Sequence, residues 1–122
     1  MQEGRTMKTL FILNDPPYGT ERSYNGFRLA RALAKHDGNE IRLFLLGDAA
    51  LCAKAGQKVP EGYYNIEFLA QSILKRGGQI GVCGACMDAR GLKNEEMIPG
   101  AEHSTLEHLA EWTEWADKVL VF

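Results

Sequence analysis

The sequence has no excess of one charge and no long apolar run. Its 14 lysines and arginines nearly balance its 16 aspartates and glutamates, which leaves a net charge of -2 at pH 7. Electrostatic binding of nucleic acid or of an anionic membrane needs a basic surface, so this balance predicts neither partner. No window approaches the roughly 18 apolar residues of a membrane-spanning helix, so no membrane span is expected. Because the N-terminus also lacks the cleavage pattern of a signal peptide, we predict a cytoplasmic protein.

Cysteine is scarce and odd in number, with three among the 122 residues. A secreted disulfide scaffold pairs its cysteines, so this count indicates free or reactive thiols. A chain of this length also buries about two thirds of its unfolded surface without such staples. Two of the three, Cys83 and Cys86, stand three positions apart in the stretch GQIGVCGACMDARG. That spacing allows a redox pair, half a metal site, or a sulfur-carrying nucleophile with a neighbour.

Apolar runs typical of buried strands alternate along the chain with segments of helical periodicity. The strand-like runs cover residues 9–13, 41–46, 79–83 and 118–122. Strands separated by helices predict right-handed crossovers and a parallel sheet covered on both faces. We therefore expect a three-layer, doubly wound α/β domain with four or five strands. This single domain is expected to span residues 7–122, after a polar N-terminal extension of residues 1–6.

Apolar residues at helical spacing predict one buried face on the first long helix and one on the last. The first is expected over residues 21–35, and a shorter helix over residues 48–55. The last is expected to open with a capping box in which Ser104 is the N-cap. The predicted buried positions are Gly26, Leu29, Ala30 and Leu33 in the first helix, and Leu106, Leu109, Ala110 and Thr113 in the last.

Cys83 ends the third predicted strand, and parallel α/β sheets place their chemistry at this edge. The residues after it can form a helical turn whose free N–H groups would lower the pKa of the thiol and stabilise a reactive thiolate. Gly84 would leave room for a partner to approach, and Arg90 would add positive charge if the helix carries it back. Cys86 either packs or acts as a partner thiol. Cys52 lies in an apolar helix and is expected to be an inert core residue.

Other side chains at this edge follow the first predicted strand. Asp15 comes directly after it, and it either lines the site or caps a turn. Tyr18 is either a loop anchor or part of a lip over the site. Aromatic residues are also expected in packing or in subunit contacts, and the candidates are Tyr63, Tyr64, Trp112 and Trp115.

Several familiar site signatures are missing from the sequence. A zinc site would need about two further ligands, but His103 and His108 do not share a helical face and no second Cys-x-x-Cys exists. The glycines near Cys83 do not form a dinucleotide-binding fingerprint. No Ser-His-Asp set or carboxylate pair is evident either. We therefore expect no metal and no cofactor, while a thioredoxin-like redox pair stays open as an alternative.

Three stretches together resemble the DsrE/DsrF-like family. The segment NDPPYGTERSYNGFRLARAL is similar to the family's Pro-x-Tyr-Gly-Thr opening, which here contains Tyr18 and Gly19. The segment VCGACMDARG resembles the family's cysteine segment, in which a strand-end cysteine precedes the glycine of an Arg-Gly pair by eight residues. The segment ADKVLVF resembles its C-terminal strand. The similarity spans nearly all of residues 7–122.

The resemblance implies a sulfur-relay subunit, a persulfide carrier with sulfurtransferase-like activity. The implied carrier of sulfane sulfur is Cys83, while Cys86 stands where TusD-like members have no cysteine and shares or replaces that role. The resemblance also implies sulfur donor and acceptor proteins as partners, and rings of three or six subunits, homomeric or mixed. The alternative is a non-catalytic oligomer subunit or a small-ligand-binding protein whose Cys-x-x-Cys is structural or redox-active.

Overall fold

A five-stranded, fully parallel sheet forms the centre of the protein, as seen in a computed structural model that describes residues 6–59 and 65–122. The strand order is β4-β3-β2-β1-β5. This arrangement confirms the predicted α/β class, and the buried apolar runs form the strands because both faces of the sheet are covered. The strands are β1 (Lys8–Leu13), β2 (Glu40–Leu45), β3 (Gln79–Cys83), β4 (Ala101–Ser104) and β5 (Lys118–Val121).

Four α-helices and two short 3₁₀ helices connect these strands. The α-helices are α1 (Arg22–Ala34), α2 (Ile66–Lys75), α3 (Gly84–Ala89) and α4 (Leu106–Trp115). The 3₁₀ helices are Gly47–Ala53, where a short helix was expected, and Asn94–Glu96. Within the described ranges, no helix has both the length and the apolar character needed to cross a membrane.

Two apolar clusters lie on opposite faces of the sheet. The larger one packs α1, α2 and the 3₁₀ helix Gly47–Ala53 against one face of the sheet. Phe11, Leu43 and Ile73 are fully buried there. The smaller one joins α4 to the other face through Leu10, Phe44, Leu109 and Trp112. Each face thus has its own core, and the smaller core depends on a single helix. The large aromatic Trp112 supplies much of its cover.

Strand β4 was not expected from the sequence, which instead predicted Ser104 as the N-cap of the last helix. Its segment AEHS contains no large apolar residue, and it pairs with β3 alone at the edge of the sheet. Ser104 therefore ends a strand instead of capping α4. The N-cap is Thr105, whose Oγ1 accepts the His108 backbone N–H at 3.1 Å.

The predicted apolar faces are also partly wrong. In α4, Leu106 is 71% exposed, while Trp112 is only 5% exposed and packs in the smaller core, which was one of its two predicted roles. The bulky indole sets the rotation of α4, so Ala110 and Thr113 also face outward. In α1, Leu29 is 40% exposed, whereas Gly26 and Ala30 are buried as predicted and Phe27 is buried beside them. The buried α1 residues are Ser23, Gly26, Phe27 and Ala30.

Candidate functional site

The carboxyl ends of β1, β2 and β3 bring three loops to one edge of the sheet. Cys83 lies at this edge, as expected from the sequence. The strand order, however, reverses between β1 and β5, and β2 separates β3 from β1. The cysteine segment is therefore built on the β2 and β3 loops, away from the reversal point where such sheets usually bind ligands.

Cys83 is the N-cap residue of α3, and its thiol faces a backbone donor. The Cys83 Sγ accepts the N–H of Cys86 at 3.2 Å. The residue is half-buried, and its side chain packs at the margin of the smaller core. A partly exposed thiol with a preformed backbone donor can act as a nucleophile.

Cys86 lies beside Cys83, but its side chain packs on the opposite face of the sheet. Its Sγ accepts the N–H of Gly47 at 3.2 Å, and its side chain packs against the larger core. The thiols of Cys83 and Cys86 are within hydrogen-bonding reach of each other. The 3₁₀ helix after β2 therefore positions the second thiol, and the two cysteines form one site.

Burial raises the pKa of the Cys83 thiol above its ordinary value, and the hydrogen bond with the Cys86 side chain acts in the same direction. The backbone N–H groups of Cys86 and Ala85 act to lower the pKa, but they are the smaller influence. The structure thus contradicts the lowered pKa expected from the sequence. Because α3 has only six residues, its N-terminus opposes burial weakly.

Arg90 does turn back toward the cysteine segment, as the sequence suggested it could. Its Nη1 donates to the Cys86 carbonyl oxygen at 3.0 Å, while Nη2 and Nε donate to Asp48 Oδ1 at 2.7 and 3.1 Å. The guanidinium charge is therefore neutralised by Asp48. Arg90 ties the end of α3 to the 3₁₀ helix and does not present a free positive charge to the thiols.

Gly84 does not leave open space beside Cys83. A Cβ built at this position would collide with the imidazole ring of His103, which lies directly over the glycine. The sequence predicted an approach route for a partner here. The structure instead fills that room with the imidazole of His103 from β4.

Asp15 organises the loop after β1 and does not line the cysteine site. Its Oδ2 accepts from Thr20 Oγ1 at 3.0 Å and pairs with Arg22 at 3.6 Å, while its carbonyl oxygen accepts from Ser23 Oγ at 2.7 Å. These contacts are those of a turn cap, which was one of the two predicted roles. Gly19, with φ of +101°, makes the turn that only glycine adopts readily.

Tyr18 acts as a loop anchor, the first of its two predicted roles. It packs against the larger core, and burial raises the pKa of its hydroxyl. The Ile66 backbone hydrogen-bonds to this hydroxyl at the start of α2. Two aromatic residues considered with it, Tyr63 and Tyr64, lie outside the described residues.

Cys52 is 1% exposed in the larger core. Burial raises the pKa of its thiol to about 12, so it stays protonated at neutral pH. This agrees with the prediction of an inert core residue. Among the described residues, no cluster of three or more His, Cys, Asp or Glu side chains could hold a metal ion.

Sequence reasoning missed two polar residues near Cys83. Ser104 is the Cα partner of Cys83 across the β3–β4 ladder, and its Oγ lies 2.7 Å from His108 Nδ1. This pair could not be predicted from the sequence, because β4 lacks the apolar pattern of a strand. His108 was weighed only as a metal ligand.

Comparison with known proteins supports a common origin for this fold. The chain is 40% identical over 116 residues to protein YchN of Escherichia coli, covering 94% of this chain and 98% of that protein. It is 37% identical to an uncharacterised protein of Methanocaldococcus jannaschii over 95% of this chain and all of the other. The crystal structure of E. coli YchN superposes with a TM-score of 0.90 at 39% identity, covering 96% of this chain and 100% of that one. The sequence profile of the DsrE/DsrF-like family matches residues 7–122, and the chain therefore belongs to the DsrE/DsrF-like family.

Proposed function

We propose that the protein is a sulfur-relay carrier that accepts sulfane sulfur on Cys83 and passes it to a partner thiol. Membership of the DsrE/DsrF-like family supports a sulfur-related role at the level of the family. The observation that carries the specific proposal is the half-exposed Cys83 thiol at the N-cap of α3. Its Sγ accepts a backbone N–H at 3.2 Å, and a second thiol lies within hydrogen-bonding reach.

Transfer of this kind is thiolate exchange. The Cys83 thiolate attacks the outer sulfur of a donor persulfide, R–S–SH, and forms Cys83–S–SH while R–S⁻ leaves with the bonding electron pair. An acceptor thiolate then attacks the outer sulfur of Cys83–S–SH and releases the Cys83 thiolate. Neither step changes the total oxidation state, so a reactive thiol and a docking surface are sufficient.

Cys86 gives the persulfide a second outcome. Its thiolate can attack the inner sulfur of Cys83–S–SH, which forms a Cys83–Cys86 disulfide and releases HS⁻. The proximity of the Cys86 thiol to the Cys83 thiol favours this attack. The hydrogen bond from the Gly47 N–H helps to hold Cys86 in place. A protein that used this outcome would need an external dithiol reductant to regenerate its thiols.

Sulfur uptake is tested by incubating the reduced protein with inorganic polysulfide and mapping the product by mass spectrometry. We expect one adduct of about 32 Da, the mass of one sulfur atom, on the peptide that contains Cys83. Cys83→Ser is expected to abolish it, whereas Cys86→Ser is expected to retain it. Cys52→Ser serves as the matched control, because Cys52 is buried in the core. Uptake that survives Cys83→Ser but not Cys86→Ser would reverse the roles, and uptake that survives both would refute the proposal.

A redox dithiol is the second candidate function, and the mutual reach of the two thiols favours it. In that case a mild disulfide oxidant would convert the pair to a disulfide with a loss of about 2 Da, and polysulfide would leave no stable adduct. Cys86→Ser cannot form the internal disulfide, so the mass of this variant after polysulfide treatment separates the two functions. An adduct of about 32 Da supports the carrier, whereas its absence supports the redox dithiol.

We also propose that the protein forms a homotrimer or homohexamer, or a hetero-oligomer with related chains. This oligomer would dock sulfur donor and acceptor proteins. Exposed apolar residues support an association surface, including Val121 at 64% exposure on the edge strand β5. Light scattering at micromolar concentration is expected to give three or six times the 13.6 kDa chain mass. A single species of 13.6 kDa would contradict this expectation.

A further inference from the structure

We propose that Ser104 and His108 form a proton relay that draws the proton from the Cys83 thiol as it attacks sulfur. The inference rests on the proposed carrier function and identifies the groups that activate its nucleophile. Both residues lie outside the Cys-x-x-Cys segment, on β4 and at the start of α4.

Ser104 stands beside Cys83 in the sheet. The two are Cα partners in the parallel β3–β4 ladder. Neighbouring strands lie about 4.8 Å apart, and paired positions project from the same face. That face is the one under α4, because Cys83 packs against the smaller core and Ser104 lines a cavity with Trp112. The two side chains do not hydrogen-bond to each other in this structure, and their pairing on one face leaves a separation that one bridging water would span.

His108 completes the pair on the far side of Ser104. Its Nδ1 lies 2.7 Å from Ser104 Oγ. The Trp112 ring meets the imidazole at 60° with a centroid distance of 4.7 Å, which fixes the orientation of the imidazole. With its proton on Nε2, the imidazole presents Nδ1 as a proton acceptor toward the serine.

Helix capping does not account for this pair. The start of α4 is capped by Thr105, whose Oγ1 already accepts the His108 backbone N–H. Ser104 is 7% exposed, and a buried serine that served packing alone would gain nothing from its hydroxyl over alanine. Its bond to His108 links the side chain of α4 to β4, the strand next to the one that carries Cys83.

The Cys83 thiol needs such an acceptor. Burial raises the pKa of this thiol, so the thiolate is scarce at neutral pH and a proton must leave as the attack occurs. In the described part of the chain, none of the other ionisable side chains around this end of the sheet hydrogen-bonds to Ser104, whose partner is His108. Asp48 pairs with Arg90, Arg42 stacks on Trp112 and Trp115 at 5.2 and 3.8 Å, Glu102 lines the same cavity of about 100 Å³, and His103 lies over Gly84.

The relay balances without an oxidant or a reductant. The Cys83 S–H proton passes to Ser104 Oγ while the serine proton passes to His108 Nδ1, which becomes an imidazolium. The Cys83 thiolate takes the outer sulfur of R–S–SH, and R–S⁻ leaves with the electron pair. The imidazolium then gives its proton to R–S⁻ through Ser104 or a water molecule, so the products are Cys83–S–SH and R–SH and the imidazole is neutral again.

The relay is tested by the pH dependence of Cys83 alkylation with iodoacetamide, in a Cys86→Ala background that isolates the signal. Ser104→Ala and His108→Gln are each expected to move the alkylation midpoint to higher pH and to slow the reaction near neutral pH by about tenfold. Ser104→Thr keeps the hydroxyl and should restore most of the rate. Thr113→Val is the matched control, since it removes another hydroxyl from α4 that bonds only the Leu109 carbonyl in the same helix. It should leave the profile unchanged.

Circular dichroism confirms that each variant is folded before its profile is compared. If Ser104→Ala does not fold, His108→Gln alone decides the question. An unchanged midpoint in folded His108→Gln would overturn the relay, and so would an equal shift in Thr113→Val. Polysulfide loading of the wild type is measured separately. Shifted pH profiles without sulfur loading would support the relay and refute the carrier function. Sulfur loading without shifted pH profiles would support the carrier function and refute the relay.

Discussion

Replacing Trp112 by alanine is expected to lower the free energy of unfolding by about 3–5 kcal/mol. The indole is 5% exposed and meets Phe44 edge to face at a centroid distance of 6.0 Å. It also approaches Gly81, where a Cβ would stand 3.3 Å from the ring, so it closes tightly on β3. The smaller core has only one covering helix, and the cavity left by the substitution has no second element to fill it.

Urea denaturation at fixed protein concentration provides the measurement. Trp115→Ala is the matched control, because Trp115 is half-buried beside the same cluster and should cost clearly less. A loss below about 1 kcal/mol for Trp112→Ala would show that the face of the sheet under α4 contributes little to stability.

The second large effect is expected at alkaline pH and arises from Cys52. Burial raises the pKa of this thiol from 9.0 to about 12 in the folded protein. The protonated thiol therefore contributes stability that is complete below pH 9 and is lost as the pH rises toward 12. The two pKa values predict a loss of about 2 kcal/mol between roughly pH 8 and pH 10.5.

Cys52→Ala removes this ionisation while keeping a small apolar side chain. The wild type should therefore lose about 2 kcal/mol more than the variant over that pH interval, as measured by urea denaturation at both pH values. Alkaline titrations of groups that do not interact with Cys52 occur in both proteins and cancel in the difference. The titration of Tyr18 cancels only in part, because the charge of Cys52 raises the pKa of Tyr18. Equal losses in the two proteins would show that Cys52 ionises with an ordinary pKa.

The strands were the part of the fold that local pattern could predict. Runs such as IRLFLL are apolar on both faces, and β1, β2, β3 and β5 fall within one residue of their predicted bounds. Strand β4 could not be found in this way, because the polar segment AEHS is held in the sheet by its pairing with β3. The rotation of α4 was mispredicted for a related reason, since the fit of one indole against Phe44 and Gly81 outweighed the average periodicity.

The candidate site was predictable only as far as Cys83 and its place at the carboxyl edge. The contacts that complete the site join residues distant in sequence, such as Gly47 with Cys86 and Asp48 with Arg90. No local spacing encodes these pairs. The expected direction of the Cys83 pKa was wrong because it weighed the helix N-terminus and omitted the burial that the packed fold imposes.

The position of β5 has a consequence for the order of folding. β5 pairs with β1, and the Lys8 N–H bonds the Asp117 carboxylate across 109 positions of the chain. Closing so large a loop costs entropy that local contacts do not repay, so this pairing belongs to the late steps of folding. Since α4 directly precedes β5, the apolar face of Leu10 and Phe44 stays uncovered until then. A folding intermediate in which α4 has not yet docked therefore exposes an apolar surface on the sheet that favours aggregation.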